Sequence, residues 1–206
     1  CSKFKRTMTN KLLFFVLLAL CFSGCDMLET HPYDVHITGE RELNNKNIQL
    51  IENKMQGKKT IRFAMISDTQ RWYNSTEDVV KALNARGDID FVIHGGDQSD
   101  FGVTKEFIWM RDIFNKFQMP YVCLLGNHDC LGTGEDAYRA IYGDPNFAFT
   151  AGNVRFICLN TNAMEYDYSE PVPDFNFIEN ELNNLSPEIE KTVFAMHVKP
   201  FEFVFN

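Results

Sequence analysis

Short apolar segments alternate with amphipathic stretches from residue 61 onward, and this alternation constrains the fold more than any other feature of the sequence. The segments with the length and continuity of buried strands are residues 61–67, 89–94, 121–125, 154–160 and 192–197. Such segments, separated by helical patterns, are typical of a parallel sheet covered by helices. The sequence therefore predicts an α/β fold.

The stretches between the predicted strands carry helix signals. Ser75 and Asp78 have the spacing of a capping box and predict a helix over residues 75–87. Aromatic and apolar side chains at helical spacing predict a second helix over residues 104–119, with a core-facing stripe. A third, shorter helix is predicted over residues 135–141.

The remaining predicted elements lie before residue 61 and in the second half of the chain. Residues 33–38 have the pattern of an edge strand, and residues 45–55 carry a partial helical stripe. Gly152 and Asn153 separate two strand patterns and predict a β-hairpin. A fourth helix of the domain is predicted after Pro173.

A basic segment and a short apolar run open the chain. The apolar run over residues 12–22 is too short to span a bilayer, and small residues follow it just before Cys25. These features are typical of a secretory signal peptide over residues 1–24, which leaves residues 25–60 as a lead-in to a domain over residues 61–206.

The end of this signal resembles the lipobox of bacterial lipoproteins, in the sequence Phe22-Ser23-Gly24-Cys25. The resemblance implies that Cys25 is lipidated and that the exported protein is anchored to a bacterial membrane, on its periplasmic or cell-surface side. A plain signal peptide that happens to contain a cysteine is the alternative. Since Met8 is a natural start for such a signal, residues 1–7 are expected to be an artefact of the assigned start.

Charge and cysteine content exclude some classes of protein. Against 28 acidic residues the chain has 20 basic ones, and the net charge of -8 repels polyphosphate backbones, so scanning of nucleic acid is not expected. Past the lipobox only Cys123, Cys130 and Cys158 remain, an odd number that does not form a disulfide framework. Cys123 and Cys158 are predicted to be core thiols, whereas Cys130 lies in a loop and is open to reaction.

Polar residues with metal-binding chemistry follow four of the predicted strands. They are Asp68 and Gln70, then Asp97 and Asp100, then Asn127, His128 and Asp129, and finally His197. Ligands of α/β sheets bind outside the carboxyl ends of the strands, so these side chains are expected to converge. Oxygen donors mixed with imidazole suit divalent ions such as Mn, Fe or Zn, and two such ions can clamp a phosphoryl group.

The order of these motifs resembles that of the calcineurin-like metallophosphoesterase superfamily. Its Asp-x-His, Gly-Asp-x-x-Asp, Gly-Asn-His-Asp/Glu and lone His elements correspond to Asp68, the run 96–100, the run 126–129 and His197. The resemblance implies a four-layer α-β-β-α sandwich with two mixed sheets. It also implies a phosphomonoester or phosphodiester substrate and two divalent metal ions, with Mn, Fe, Zn and Mg as candidates.

The resemblance also implies which residues hold the metals. Asp68 would bind the first ion, Asp97 would bridge both, and Asn127 and His197 would bind the second. Gln70 stands where the family has histidine. An amide oxygen is a neutral and weaker ligand than imidazole for Fe or Zn, so Gln70 would shift the preference toward Mn or Mg, or leave the first site weakly occupied.

Three further residues receive roles from the resemblance. His128 would face the substrate and donate a hydrogen bond or a proton to the leaving oxygen, while Asp129 would orient its ring. Asp100 would contact the metal ligands without binding metal itself. His94 matches no ligand of the family and lies inside a strand pattern, so it is predicted to be a hydrogen-bonded core histidine.

A second difference from the family pattern, after Gln70, concerns the end of the chain. The family's final Gly-His-x-His motif does not occur between His197 and Asn206, so we expect the sequence to be a fragment or an impaired product with an incomplete sandwich. A non-catalytic, lipid-anchored binding protein of the same fold is the alternative. A nucleotide-binding domain is disfavoured because no phosphate loop of the G-x-x-x-x-G-K-[ST] type occurs. Arg71, Trp72 and Tyr73 either line the substrate pocket or serve packing.

Overall fold

The computed structural model describes residues 31–162 and 173–199, so the predicted signal peptide and Cys25 lie outside the described residues. The chain divides into two units, Cys1–Asp34 and Val35–Asn206. Of the first unit the structure describes residues 31–34, a turn in which Asp34 N–H donates to His31 O at 2.9 Å. Within the described residues, no helix has the length and apolar character needed to cross a membrane. All that follows concerns the second unit.

Helices and strands alternate along the described part of the second unit. The helices are α1 (Leu43–Met55), α2 (Tyr73–Arg86), α3 (Thr104–Phe114), α4 (Gly134–Tyr142) and α5 (Phe175–Asn183). The strands are β1 (Phe63–Ile66), β2 (Phe91–His94), β3 (Tyr121–Cys123), β4 (Phe147–Ala151), β5 (Val154–Leu159) and β6 (Lys191–Met196). The five strands predicted from apolar continuity, the hairpin and the four predicted domain helices are confirmed, with shorter bounds for most of them.

The strands form two sheets of three. In the first sheet β1, β2 and β3 are parallel, with Ile66 paired to His94 and His94 paired to Cys123. In the second sheet β4 and β5 form the antiparallel hairpin, while β5 and β6 are parallel. The carboxyl ends of the parallel strands in the first sheet therefore lie at one edge.

Side-chain alternation along the first sheet creates the layers. Phe91 and Ile93 belong to the apolar cluster shared with the second sheet, whereas the neighbouring Val92 belongs to the cluster shared with the helices. Phe91 packs edge-on against Phe149 and Phe156 of the second sheet, with ring centroids 5.7 and 5.5 Å away. Buried faces on both sides of a sheet require covering layers on both sides. The predicted α/β sandwich of two sheets is confirmed, and the second sheet is mixed.

Two local predictions are wrong. Residues 33–38 form no strand; Thr38 O instead accepts a hydrogen bond from the Arg111 guanidinium at 2.5 Å. Helix α2 begins at Tyr73, ahead of the predicted capping box, and Trp72 occupies the N-cap without a side-chain hydrogen bond. The capping-box pattern at Ser75 did not predict the start of the helix, because the helix already begins two residues earlier, at the end of the loop after β1.

Candidate metal centre

Asp68 leaves β1 in a strained backbone conformation. Its φ of 58° is left-handed, and its N–H donates to Gly96 O at 3.1 Å, so the loops after β1 and β2 are bonded to each other. Non-glycine residues adopt this conformation at a cost, and such residues cluster at functional sites. Asp97 after β2 has the same feature, with φ of 61°.

Two glycines allow the loops to approach closely. A Cβ added to Gly126 would lie 2.2 Å from Oδ1 of Asp97, and one added to Gly96 would lie 2.8 Å from Nδ1 of His197. Neither distance is tolerable for carbon against these atoms. The glycines next to the candidate ligands are therefore required by the packing of the centre itself.

The candidate ligands converge at the carboxyl edge of the first sheet. Ligand atoms of Asp68, Asp97 and His197 lie within 4.8 Å of one another. Nε2 of His197 lies 2.9 Å from Oδ1 of Asn127 and 3.4 Å from Oδ1 of Asp97. The structure thus brings together four of the five side chains predicted as metal ligands, although they come from four different loops.

The charge distribution of the cluster favours a cation. Nδ1 of His197 faces Gly95 O at 2.8 Å and Nε2 faces the Asn127 oxygen, so both ring nitrogens have acceptors as neighbours. Although burial lowers the pKa of His197, the hydrogen bond and the charge of Asp97 raise it to about 9. Burial also opposes ionisation of Asp97, but contacts with His197 and with the His128 N–H lower the pKa of Asp97 overall.

The described residues fit divalent metal binding. The hydrogen bond from Nδ1 to Gly95 O fixes the His197 ring so that Nε2 is the ligand atom, as is usual for metal-binding histidines. Gln70 lies beside Asp97, since its N–H donates to Asp97 O at 3.1 Å. Its Oε1 is buried and accepts no hydrogen bond from any described residue, which suits an oxygen ligand.

Asp129 does not orient the His128 ring, contrary to the prediction. Its fully buried carboxylate accepts hydrogen bonds from the N–H groups of residues 97, 98, 99 and 126 at 2.8 to 2.9 Å, and from the Ser99 hydroxyl at 3.1 Å. Burial raises the pKa of Asp129 to about 6, while the N–H groups of Ser99 and Gly126 act to lower it. Asp129 therefore holds the loops that carry the candidate ligands.

Asp100 makes the contact that was expected of Asp129. Nδ1 of His128 lies 2.9 Å from the backbone oxygen of Asp100 and 3.7 Å from its Oδ1. The Asp100 carboxylate also pairs with the Arg71 guanidinium. Asp100 thus supports the His128 ring, and the sequence missed Arg71 in this role because the two charges are 29 positions apart.

The residues predicted to be structural are buried. His94 is a core residue: Gly96 N–H donates to its Nδ1 at 3.2 Å, its Nε2 lies 2.9 Å from Thr69 Oγ1, and burial lowers its pKa to about 3. Cys123 and Cys158 are buried thiols, as predicted, and burial raises the pKa of both. Cys130 is half-buried, and its thiol donates to Gly126 O at 3.4 Å.

Carboxylate, amide and imidazole groups gathered at the strand ends of a two-sheet sandwich define a metallophosphoesterase fold. The chain belongs to the calcineurin-like phosphoesterase family, whose sequence profile matches residues 61–203. The family implies divalent metal ions, in agreement with the cluster of Asp68, Asp97 and His197.

Two known proteins show how far this similarity extends. A 3',5'-cyclic-nucleotide phosphodiesterase of Nostoc sp. (strain PCC 7120) is 27% identical over 124 residues, which cover 59% of this chain and 46% of the relative. The structure of a purple acid phosphatase from yellow lupin (Lupinus luteus) seeds matches with a TM-score of 0.51 and 17% identity, over 68% of this chain and 30% of the lupin chain. The chain thus spans less than half of either protein, and the lupin structure supports the fold.

Proposed function

We propose that this protein is a metal-dependent hydrolase of phosphomonoesters or phosphodiesters that uses two divalent metal ions. The observation that carries the proposal is the convergence of Asp68, Asp97 and His197 to within 4.8 Å at the carboxyl edge of the first sheet. Family membership over residues 61–203 and the Nostoc phosphodiesterase support the same reaction.

The candidate ligands form two sets, one for each ion, with Asp97 common to both. Asp68 and Gln70 lie on the loop after β1 and would hold one ion, while Asn127 and His197 are in contact with each other and would hold the second. Asp97 is close to His197 and belongs to the same cluster as Asp68, which supports the proposal that its carboxylate would serve both ions. Bound ions supply Lewis acidity, which neutralises phosphoryl oxygens and activates water.

His128 is the candidate proton donor. Its backbone N–H donates to Asp97 Oδ1 at 3.0 Å, which places the residue against the centre, and Asp100 O engages Nδ1 of its ring. No hydrogen bond between Nε2 and another described residue competes with the substrate. Nε2 would thus donate a hydrogen bond or a proton to the leaving oxygen.

The activity is tested with chromogenic esters on the full chain. We expect release of p-nitrophenol from p-nitrophenyl phosphate or bis(p-nitrophenyl) phosphate with Mn²⁺, and its loss with a chelator or in Asp97→Asn. Asp78→Asn is the matched control, because the Asp78 carboxylate is exposed on α2 and pairs with Lys81 at 2.9 Å. Absence of turnover with Mn, Fe, Zn and Mg would favour the non-catalytic binding protein instead.

We propose in addition that the protein is exported and anchored through a lipid on Cys25. The support is the order of basic residues, apolar run and lipobox in the sequence. Metabolic labelling with palmitate in a bacterial host is expected to label the full chain and the Cys21→Ser variant, but not Cys25→Ser. Equal labelling of both variants, or none of the parent chain, would contradict the anchor.

A further inference from the structure

A cleft of about 360 Å³ opens beside the candidate ligand Asp68, between the end of β1 and the first two turns of α2. We call it the Trp72 cleft. Its lining includes Asp68, Thr69, Trp72, Ser75, Thr76 and Val79. This volume is within the range of pockets that hold small organic groups.

The backbone of Trp72 is fixed at the entrance of α2. Its N–H donates to Thr69 O at 3.0 Å, and its carbonyl accepts from both N–H and Oγ1 of Thr76 at 2.8 Å. The side chain nevertheless remains 61% exposed. With the backbone fixed, only the two χ angles of the exposed indole remain to be ordered when a flat group packs against it.

The chemistry of the cleft selects an uncharged group. Trp72 and Val79 lie seven positions apart and supply apolar surface, while Ser75 supplies a hydroxyl; the Thr76 hydroxyl is already bonded to the Trp72 carbonyl. No lysine, arginine or histidine is among the described residues that line the cleft. A second phosphate or an acidic peptide would therefore find no partner there, whereas a planar ring with polar edges would find both stacking surface and hydrogen-bonding groups.

We infer that the Trp72 cleft binds the planar aromatic group of the phosphoester substrate, a ring of the nucleobase type, by stacking on the Trp72 indole. This inference rests on the proposed function, because Asp68 both lines the cleft and belongs to the metal cluster, so that a phosphate at the cluster leaves its ester group at the cleft. Trp72 is then a specificity-determining residue.

Tryptophan fluorescence tests the inference separately from catalysis. The chain has two tryptophans, and the other, Trp109, packs edge-on against Tyr73 at 5.8 Å and does not line the cleft. Trp109→Phe makes Trp72 the single reporter, and Trp72→Phe makes Trp109 the matched control. Each Mn²⁺-loaded full-length variant is excited at about 295 nm, where indole absorbs selectively, and titrated with adenosine 5'-monophosphate or ribose 5-phosphate; phosphate release is measured in the same samples.

Adenosine 5'-monophosphate is expected to quench Trp109→Phe but not Trp72→Phe, while ribose 5-phosphate quenches neither. Affinity for adenosine 5'-monophosphate should exceed that for ribose 5-phosphate about tenfold in the parent chain, and Trp72→Ala should remove the difference. Unchanged thermal unfolding of that variant shows that it folds. Equal affinities for the two probes, or quenching of Trp109 alone, would overturn the inference.

The two proposals fail in different ways. Quenching of Trp72 without phosphate release from any ester would support the cleft and contradict hydrolysis. Phosphate release at equal rates from both probes, without quenching, would leave hydrolysis standing and overturn the cleft.

Discussion

His128 is held at the candidate metal centre through two separate groups. Its backbone N–H donates to Oδ1 of Asp97, and its ring is bonded through Nδ1 to the Asp100 carbonyl. The first contact involves only the backbone of His128, whereas the second positions its imidazole ring. The side chain can therefore be removed without disturbing the loop, and chemistry can be separated from metal binding.

His128→Ala is expected to lower kcat by about 10²- to 10⁴-fold, the range typical of a general acid, and to leave the bound metal nearly unchanged. The reason is that the alanine keeps the N–H that Asp97 accepts. Turnover of a chromogenic ester and metal content after dialysis check this. Parallel loss of activity and metal would refute the assignment of His128 as proton donor and make it a ligand or a structural residue.

Gln70 is the candidate ligand whose replacement tests the proposed first metal site. Gln70→His is expected to increase affinity for Zn or Fe, because imidazole is a stronger ligand than an amide oxygen for these ions. Gln70→Ala, which removes the buried Oε1, should decrease it. Metal content and dissociation constants of the three proteins decide the matter, and identical values in all three would show that Gln70 is not a ligand.

At the scale of elements, the centre depends on loops that clamp one another. Asp129, from the short helical turn His128–Cys130, receives N–H groups from the loop after β2 and from Gly126 after β3. The charge of one buried carboxylate thus fixes two strand ends relative to each other. Hydrogen bonds to an ionised acceptor are stronger than neutral ones, so this clamp stiffens the ligand loops.

The sequence predicted which strand ends carry the candidate ligands but not which groups their side chains contact. Apolar continuity locates β1, β2 and β3, and parallel strands bring their ends to one edge regardless of detail. The sequence could not predict that Asp100, and not Asp129, contacts the His128 ring. The hydrogen bonds of Asp129 join residues about thirty positions apart and depend on the loop conformation. The resemblance assigned the His128 ring to Asp129, whereas the folded backbone presents the Asp100 carbonyl to it.

Gly126→Ala is expected to destabilise the chain by about 1–3 kcal/mol or more and to abolish metal binding. Its Cβ would lie 2.1 Å from Asp97 N, a backbone atom that cannot move alone. Gly95→Ala is the matched control, because its nearest neighbour is the movable Ser67 hydroxyl at 3.0 Å. Urea unfolding and metal content check both variants; a Gly126→Ala protein that binds metal normally would contradict the close loop packing.

At the scale of the whole molecule, the centre joins the two sheets. Asp68 and Asp97 follow strands of the first sheet, whereas His197 follows β6 of the second and is bonded back to Gly95. The aromatic contacts of Phe91 with the second sheet hold these two halves together. The candidate ligand cluster therefore requires the packing of the sandwich, and agents that unfold the core also dismantle the cluster.

Acid is such an agent, and His94 makes the fold sensitive to it. Its folded pKa of about 3 lies below the unfolded value of 6.5. The fold thus requires the neutral ring. The contribution of neutral His94 to the free energy of unfolding is fully present above pH 6.5, and it is lost as pH falls toward 3, by about 1.4 kcal/mol for each pH unit. Asp129 acts in the opposite direction, because its raised pKa favours the fold at low pH.

Comparison with His94→Asn isolates this contribution. Asparagine can still accept the Gly96 N–H but does not titrate, so the metal-free variant is expected to lose less free energy of unfolding than the parent between about pH 6 and pH 4, with a difference of about 2 to 3 kcal/mol. Urea unfolding at a series of pH values measures both profiles, and the Asp129 contribution cancels between them. Parallel profiles would mean that His94 is protonated within the fold, and that the Gly96 and Thr69 hydrogen bonds do not keep it neutral.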